Sequence, residues 1–138
     1  MIGLNYEIDF RLSNEGDLIK WISGVIVSEE FSEGDINYIF CDDAYLHKLN
    51  VEFLEHDTLT DIISFDYSVG KELHGDIFIS IDRVKENAEL FGVDFETELR
   101  RVMVHGVLHY CGFKDKNKLD VIQMRAKENF YLERLMEN

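Results

Sequence analysis

His105 and His109 lie four residues apart in a run with helical periodicity, and residues at that spacing stand one above the other on one face of a helix. Both imidazoles can reach one ion. Gly112 is placed to end the helix, and Asp115 can then swing back toward the same face as an oxygen ligand. Two nitrogens, one oxygen and an open fourth position make the arrangement of a catalytic zinc, where bound water falls to a pKa of about 7. The chemistry this implies is hydrolysis. A bare His-x3-His pair is often incidental, and it is the Gly-x2-Asp continuation that makes this one specific. Cys111, two helical steps of about 100° from His109, is carried away from the ligands and reads as a small buried hydrophobe.

The spacing is that of an extended zincin signature with Asp in place of the usual third His. Peptidases of that kind carry Glu directly after the first His as general base; here the residue is Gly106, which has no side chain for the task. Glu98, seven residues before His105, falls on the same helical face two turns back. It can orient His105 or simply be a solvated helix charge. His47, His56 and His74 fall at polar helix or loop positions, where exposure is expected.

The elements that must position these residues follow from periodicity. Ile2, Leu4, Tyr6, Ile8 and Phe10 alternate with polar residues, a strand signature. Leu18, Ile22, Val25 and Ile26 recur at helical spacing, and this helix runs to about Glu30. Residues 35–41 form an interior strand, and Asp42 and Asp43 can cap a helix with a Leu46, Leu49, Phe53 stripe. Two short runs, 62–67 and 75–81, read as a strand pair around Gly70. A helix with Val84, Ala88 and Phe91 breaks at Gly92. Asp94 is placed to cap the motif helix, with Leu99, Val102, Val104 and Leu108 inward. A last helix from about Asn117 is expected to bury Leu119, Ile122, Ala126 and Phe130. The order β-α-β-α-β-β-α-α-α implies an α/β (α+β) fold with a small mixed sheet of about four strands and about five helices, the zincin-like metal site on a helix.

The 138 residues fit one domain, 1–138, with 46% hydrophobic residues to fill a core. No run is long enough to cross a bilayer, and Met1-Ile2-Gly3-Leu4-Asn5 lacks the layout of a signal peptide, so a soluble cytoplasmic protein with unpaired Cys41 and Cys111 is expected. The formal charge is −14, which excludes strong non-specific binding to nucleic acid. It is unevenly spread. Residues 1–99 carry 23 acidic and 6 basic side chains, residues 100–138 carry 5 and 8. Arg100, Arg101, Lys114, Lys116, Lys118, Arg125 and Lys127 flank the metal motif, so the site can be basic enough to receive a polyanion, unless these are ordinary solvated helix charges.

Three blocks together resemble the YbeY family of metal-dependent endoribonucleases: Leu49-Asn50 followed by 60–65 (Thr-Asp-Ile-Ile-Ser-Phe), 75–80 (Gly-Asp-Ile-Phe-Ile-Ser), and the stretch from His105 to Asp115. The resemblance implies a zinc-dependent, single-strand-specific endoribonuclease acting in rRNA maturation and ribosome quality control. His105, His109 and Asp115 would hold one Zn2+ per chain, with Mn2+, Co2+ or Ni2+ as other occupants. Asp76 would join them as a catalytic residue, or merely satisfy turn amides at a strand end. Asp61, Lys114, Lys116 and Arg101 would meet the substrate. The implied partners are rRNA, ribosomal particles, and ribosomal proteins or a GTPase, with no membrane.

Two departures are notable. Asp115 stands where most members have His, lowering the charge of the loaded site from +2 to +1 and making harder ions more competitive. Leu54 stands where the family usually has Arg, removing a phosphate clamp. The rival readings are a non-catalytic ribosome-assembly factor with a bound metal, and a metal-dependent hydrolase of another substrate.

Overall fold

A computed structural model describes residues 1–56 and 58–136. The elements run β1 (Ile2–Tyr6), α1 (Glu15–Ser28), β2 (Ser32–Cys41), α2 (Asp43–Leu54), β3 (Ile62–Asp66), β4 (Glu72–Ser80), α3 (Ile81–Phe91), α4 (Phe95–Tyr110) and α5 (Lys118–Met136). The sheet has order β1-β2-β4-β3, with β1, β2 and β4 parallel and β3 antiparallel to β4. This is the α/β fold with a four-stranded mixed sheet and five helices that the element order predicts. Among the described residues no helix is long and apolar enough to cross a membrane.

The strand alternation sorts side chains between two unequal faces. Ile36, Tyr38 and Phe40 of β2 and Leu73, Ile77 and Ile79 of β4 join Leu18, Ile22, Val25 and Ile26 of α1 and Val104, Val107 and Leu108 of α4 in the main core. A smaller cluster of Cys41, Leu46 and Ile63, with Leu49, Phe65 and Phe78 against it, lies under α2 on the opposite face. Gly75 lets β4 pass close to α4. A Cβ there would lie 2.5 Å from the Phe65 carbonyl oxygen and would also strike the Tyr110 hydroxyl, which donates to the carbonyls of Phe65 at 2.9 Å and Asp76 at 3.3 Å.

Several boundaries differ from the periodicity. β1 stops at Tyr6 rather than Phe10, because its partner β2 ends at Cys41, one residue beyond the Tyr6–Phe40 pair; Ile8 and Phe10 leave the strand and pack on the core edge. The Ser80 side chain accepts from the Arg83 amide as the cap of α3, which ends β4 at that residue. Asp94 occupies the N-cap position of α4 without a side-chain cap bond.

The largest difference is the rotation of α5. Its inward residues are Met124, Glu128 and Tyr131, while Leu119 is 63% and Ile122 65% exposed and Phe130 is also exposed. The expected apolar stripe faces outward because the packing face carries a carboxylate with partners of its own. Phe53 on α2 and Phe91 on α3 are likewise exposed, and Asn50 is buried in their stead on α2, where its amide donates 2.9 Å to the Thr58 carbonyl.

Candidate metal site

α4 brings its histidine pair to the rim of a cleft by a simple device. Gly106, between the two histidines, faces the sheet, where a Cβ would come within 3.1 Å of Ile62 and Ile77. The helix therefore lies close on β3 and β4. Any side chain at this position would have to push the Ile62 and Ile77 side chains aside and would point at the sheet, not at the cleft.

Gly112 takes φ +98°, a left-handed value suited to glycine, just past the Cys111 cap of α4. The Phe113 amide then bonds the Leu108 carbonyl at 3.1 Å, and the chain returns with Asp115 over the histidines. Asp115 Oδ2 lies 3.4 Å from His105 Nε2 and 3.3 Å from His109 Nε2, and the two Nε2 atoms are 2.9 Å apart. The three ligand atoms lie within 4.8 Å of one another.

The other ring nitrogens fix the tautomers. Glu128 Oε2 sits 2.7 Å from His105 Nδ1, and the Phe113 carbonyl 2.9 Å from His109 Nδ1. An ionised carboxylate and a carbonyl can only accept, so each Nδ1 carries the proton. Both Nε2 lone pairs and the Asp115 oxygen thus converge with no donor among them. A cation placed between them would satisfy such a set, and the three separations of 2.9, 3.3 and 3.4 Å are close to the edge of about 3.3 Å expected for a tetrahedron with 2.0–2.1 Å bonds. A proton is the minimal cation: burial works against charging His105, but the Glu128 hydrogen bond and the charges of Glu128, Asp115 and Asp61 outweigh it and hold its pKa above the ordinary value. The donor set fits a divalent metal.

Glu128, on α5, is the site residue that periodicity missed. It is 4% exposed. Its Oε1 accepts 3.0 Å from Arg101, and Arg125 stands 3.8 Å away. Burial opposes its ionisation, yet the hydrogen bonds from His105 and Arg101 win and hold its pKa below the usual carboxylate range. The orienting role considered for Glu98 belongs to Glu128. Glu98 does line the cleft, but its carboxylate makes no hydrogen bond with His105.

The cleft has a volume of ≈ 470 Å³ and is lined by Thr60, Asp61 and Ser64 beside β3, by Glu98, Arg101, His105 and His109 of α4, by Asp115, and by Arg125 and Glu128 of α5, among others. Asp61 is thus brought into the same cleft as the histidines, and burial pushes its pKa up. Four carboxylates against two guanidinium groups give the lining a formal balance of −2, which a divalent cation cancels. Arg101 also lines the cleft, tied to Glu128. Lys114 and Lys116 are exposed on the loop before α5 and are not among the cleft residues.

Asp76 is not brought to the site. On β4 it alternates with Gly75 and Ile77, which face α4, so its side chain falls on the α2 face, opposite Asn37, whose amide donates to it at 3.4 Å. The two-residue period of the strand places Asp76 on the opposite side of the sheet from the histidine pair and outside the cleft lining. Cys111 packs partly buried against the main core, where burial pushes its thiol up to about 12.

The family model described as Endoribonuclease YbeY matches residues 7–136. Proteins named Endoribonuclease YbeY from Flavobacterium johnsoniae and Porphyromonas gingivalis are 64% identical over 129 residues (94% of this chain, 93% of that protein) and 48% identical over 118 residues (86% and 78%). The solution structure of TM1509 from Thermotoga maritima superposes with a TM-score of 0.73 at 29% identity, covering 98% of this chain and 89% of that one.

Proposed function

Because the chain belongs to the YbeY family, we propose that it is a metal-dependent endoribonuclease that hydrolyses phosphodiester bonds of single-stranded RNA in rRNA maturation. The observation that carries this is the convergence of the His105 and His109 lone pairs with the Asp115 carboxylate at the mouth of a cleft. These three residues would hold one divalent ion, Zn2+ on the nitrogen content of the set, with Mn2+ a stronger competitor than at a three-histidine site. When bound, such an ion lowers the pKa of water and polarises a phosphoryl oxygen.

The chain's own groups do the rest. Glu128 and the Phe113 carbonyl lock the two rings with Nε2 toward the cleft. Arg101 and Arg125 place positive charge beside Glu128 where a phosphate would enter. Asp61 orients the substrate from the β3 side, and Lys114 and Lys116 attract the polyanion from the loop outside. Ribosomal particles in the cytoplasm are the setting this activity calls for, with ribosomal proteins or a GTPase as further partners.

Elemental analysis of the purified protein, combined with cleavage of single-stranded RNA before and after chelation, tests the proposal. Cleavage that follows the metal supports it. Metal-stripped protein that still associates with ribosomal particles, with no cleavage in any state, would establish the non-catalytic assembly factor, a reading favoured by the lack of a side chain at Gly106 and by Leu54.

A further inference from the structure

The cleft does not end at the ligands. Two turns toward the start of α4, about 10.5 Å by helical rise, Glu98 lies on the same face as His105 and also lines the cleft. It is 4% exposed. Among the described residues nothing donates a hydrogen bond to its carboxylate; Arg101 and Arg125 act on it only through their charge. Among the described residues no side-chain oxygen is both buried and unpaired, so this carboxylate turns its free oxygens to the open cleft. There a ligand with adjacent donors can meet both of them. Beside it the cleft is walled by Phe91 and Asn87 of α3, Val102 of α4 and Met124 of α5, and Phe91 is 55% exposed. An exposed aromatic ring at the lip of an apolar slot is a surface on which an unpaired base can stack.

We propose that this end of the cleft is a base-binding subsite and that Glu98 is its specificity-determining residue, selecting guanine by accepting hydrogen bonds from its N1–H and its exocyclic amine. The inference rests on the RNA reading of the site. An ionised carboxylate has two acceptor oxygens and no donor. Guanine is the RNA base whose Watson–Crick edge offers two adjacent donors. Adenine and cytosine each pair one amine with a ring acceptor, and uracil sets its single donor between two carbonyls, so each would press a lone pair against Glu98. The distance from His105 to Glu98 places a phosphate at the ligands and a base at the carboxylate within the reach of one nucleotide. The guanine read is thus next to the bond that is cut.

The test maps cut sites of the full-length, metal-loaded protein on single-stranded RNA of mixed sequence. Guanosine beside the cut should be favoured about tenfold or more, the discrimination of one good bidentate pair. In Glu98→Gln the amide offers one donor and one acceptor, a pair that every RNA base edge can meet, so the guanosine preference should fall to near parity among the four bases. A purely structural Glu98 would leave the preference as it is in the parent. Circular dichroism checks that the isosteric variant folds. Equilibrium binding of the four nucleoside 5′-monophosphates, with and without metal, gives a readout independent of cleavage, and the guanosine form should bind about tenfold tighter. Selective guanosine binding with no cleavage keeps the subsite and overturns the nuclease reading. Cleavage without base preference, with equal binding of all four, overturns the subsite and leaves the nuclease reading standing. Preference for cytidine overturns the guanine assignment.

Discussion

Glu128 accepts a 2.7 Å hydrogen bond from His105 across the α4–α5 interface while its other oxygen takes 3.0 Å from Arg101. The last helix thereby sets the tautomer of a ligand on the preceding one. Glu128→Gln keeps the shape, removes the charge and turns a donor toward Arg101. The metal dissociation constant should rise about 10- to 100-fold, read by competition with a chelator of known affinity. Unchanged affinity would reduce Glu128 to a packing residue.

Asp115 is the exposed member of the metal group, held only by the loop after Gly112. Asp115→Asn should lower metal content and RNA cleavage while circular dichroism stays native, because no core contact depends on it. Metal content equal to that of the parent protein removes Asp115 from the site.

Asp76 is a control for the topology. Its side chain lies with Asn37 on the α2 face of the sheet, so Asp76→Asn should leave metal content and cleavage within about twofold of the parent. A loss approaching that of Asp115→Asn would show that the far face of the sheet takes part in the reaction.

At Gly75 a Cβ would meet the Phe65 carbonyl oxygen and the Tyr110 hydroxyl. Strand pairing of Gly75 with Asp66 leaves the backbone little room to yield. Gly75→Ala should cost about 1–3 kcal/mol, the range for overpacking a filled interior, seen as a lower denaturant midpoint at constant m. A midpoint equal to the parent's would mean that α4 can lift from the sheet without penalty.

Burial raises the Glu98 pKa above its ordinary 4.5. The folded protein then binds this proton more tightly than the unfolded chain. Its contribution to stability is fully present below pH 4.5 and is lost as pH rises through the folded value. Urea midpoints of metal-free parent and Glu98→Gln protein from pH 4 to 7 should therefore diverge, the variant gaining on the parent as pH rises. Parallel curves would show that Glu98 is no more costly to ionise in the fold than in the unfolded chain.

The amino-acid sequence alone determined what depends on local spacing. Helical geometry puts His105 over His109 whatever the rest of the chain does, and Gly112 can reverse the chain so that Asp115 follows. The alternating and 3.6-residue patterns likewise decide the order and type of the nine elements among the described residues. Tertiary packing decided what depends on how elements meet. Asp76 and Gly75 are neighbours in sequence, yet only the pairing of β4 and the seating of α4 reveal which of them faces the helix that carries the histidines. α5 shows the same limit more sharply. Leu119, Ile122 and Phe130 suggested its inner face, but that face is set by Glu128, a charge that becomes tolerable in the interior only because Arg101 and His105 arrive from another helix to meet it. A periodic pattern records hydrophobicity and cannot record a partner more than twenty residues away.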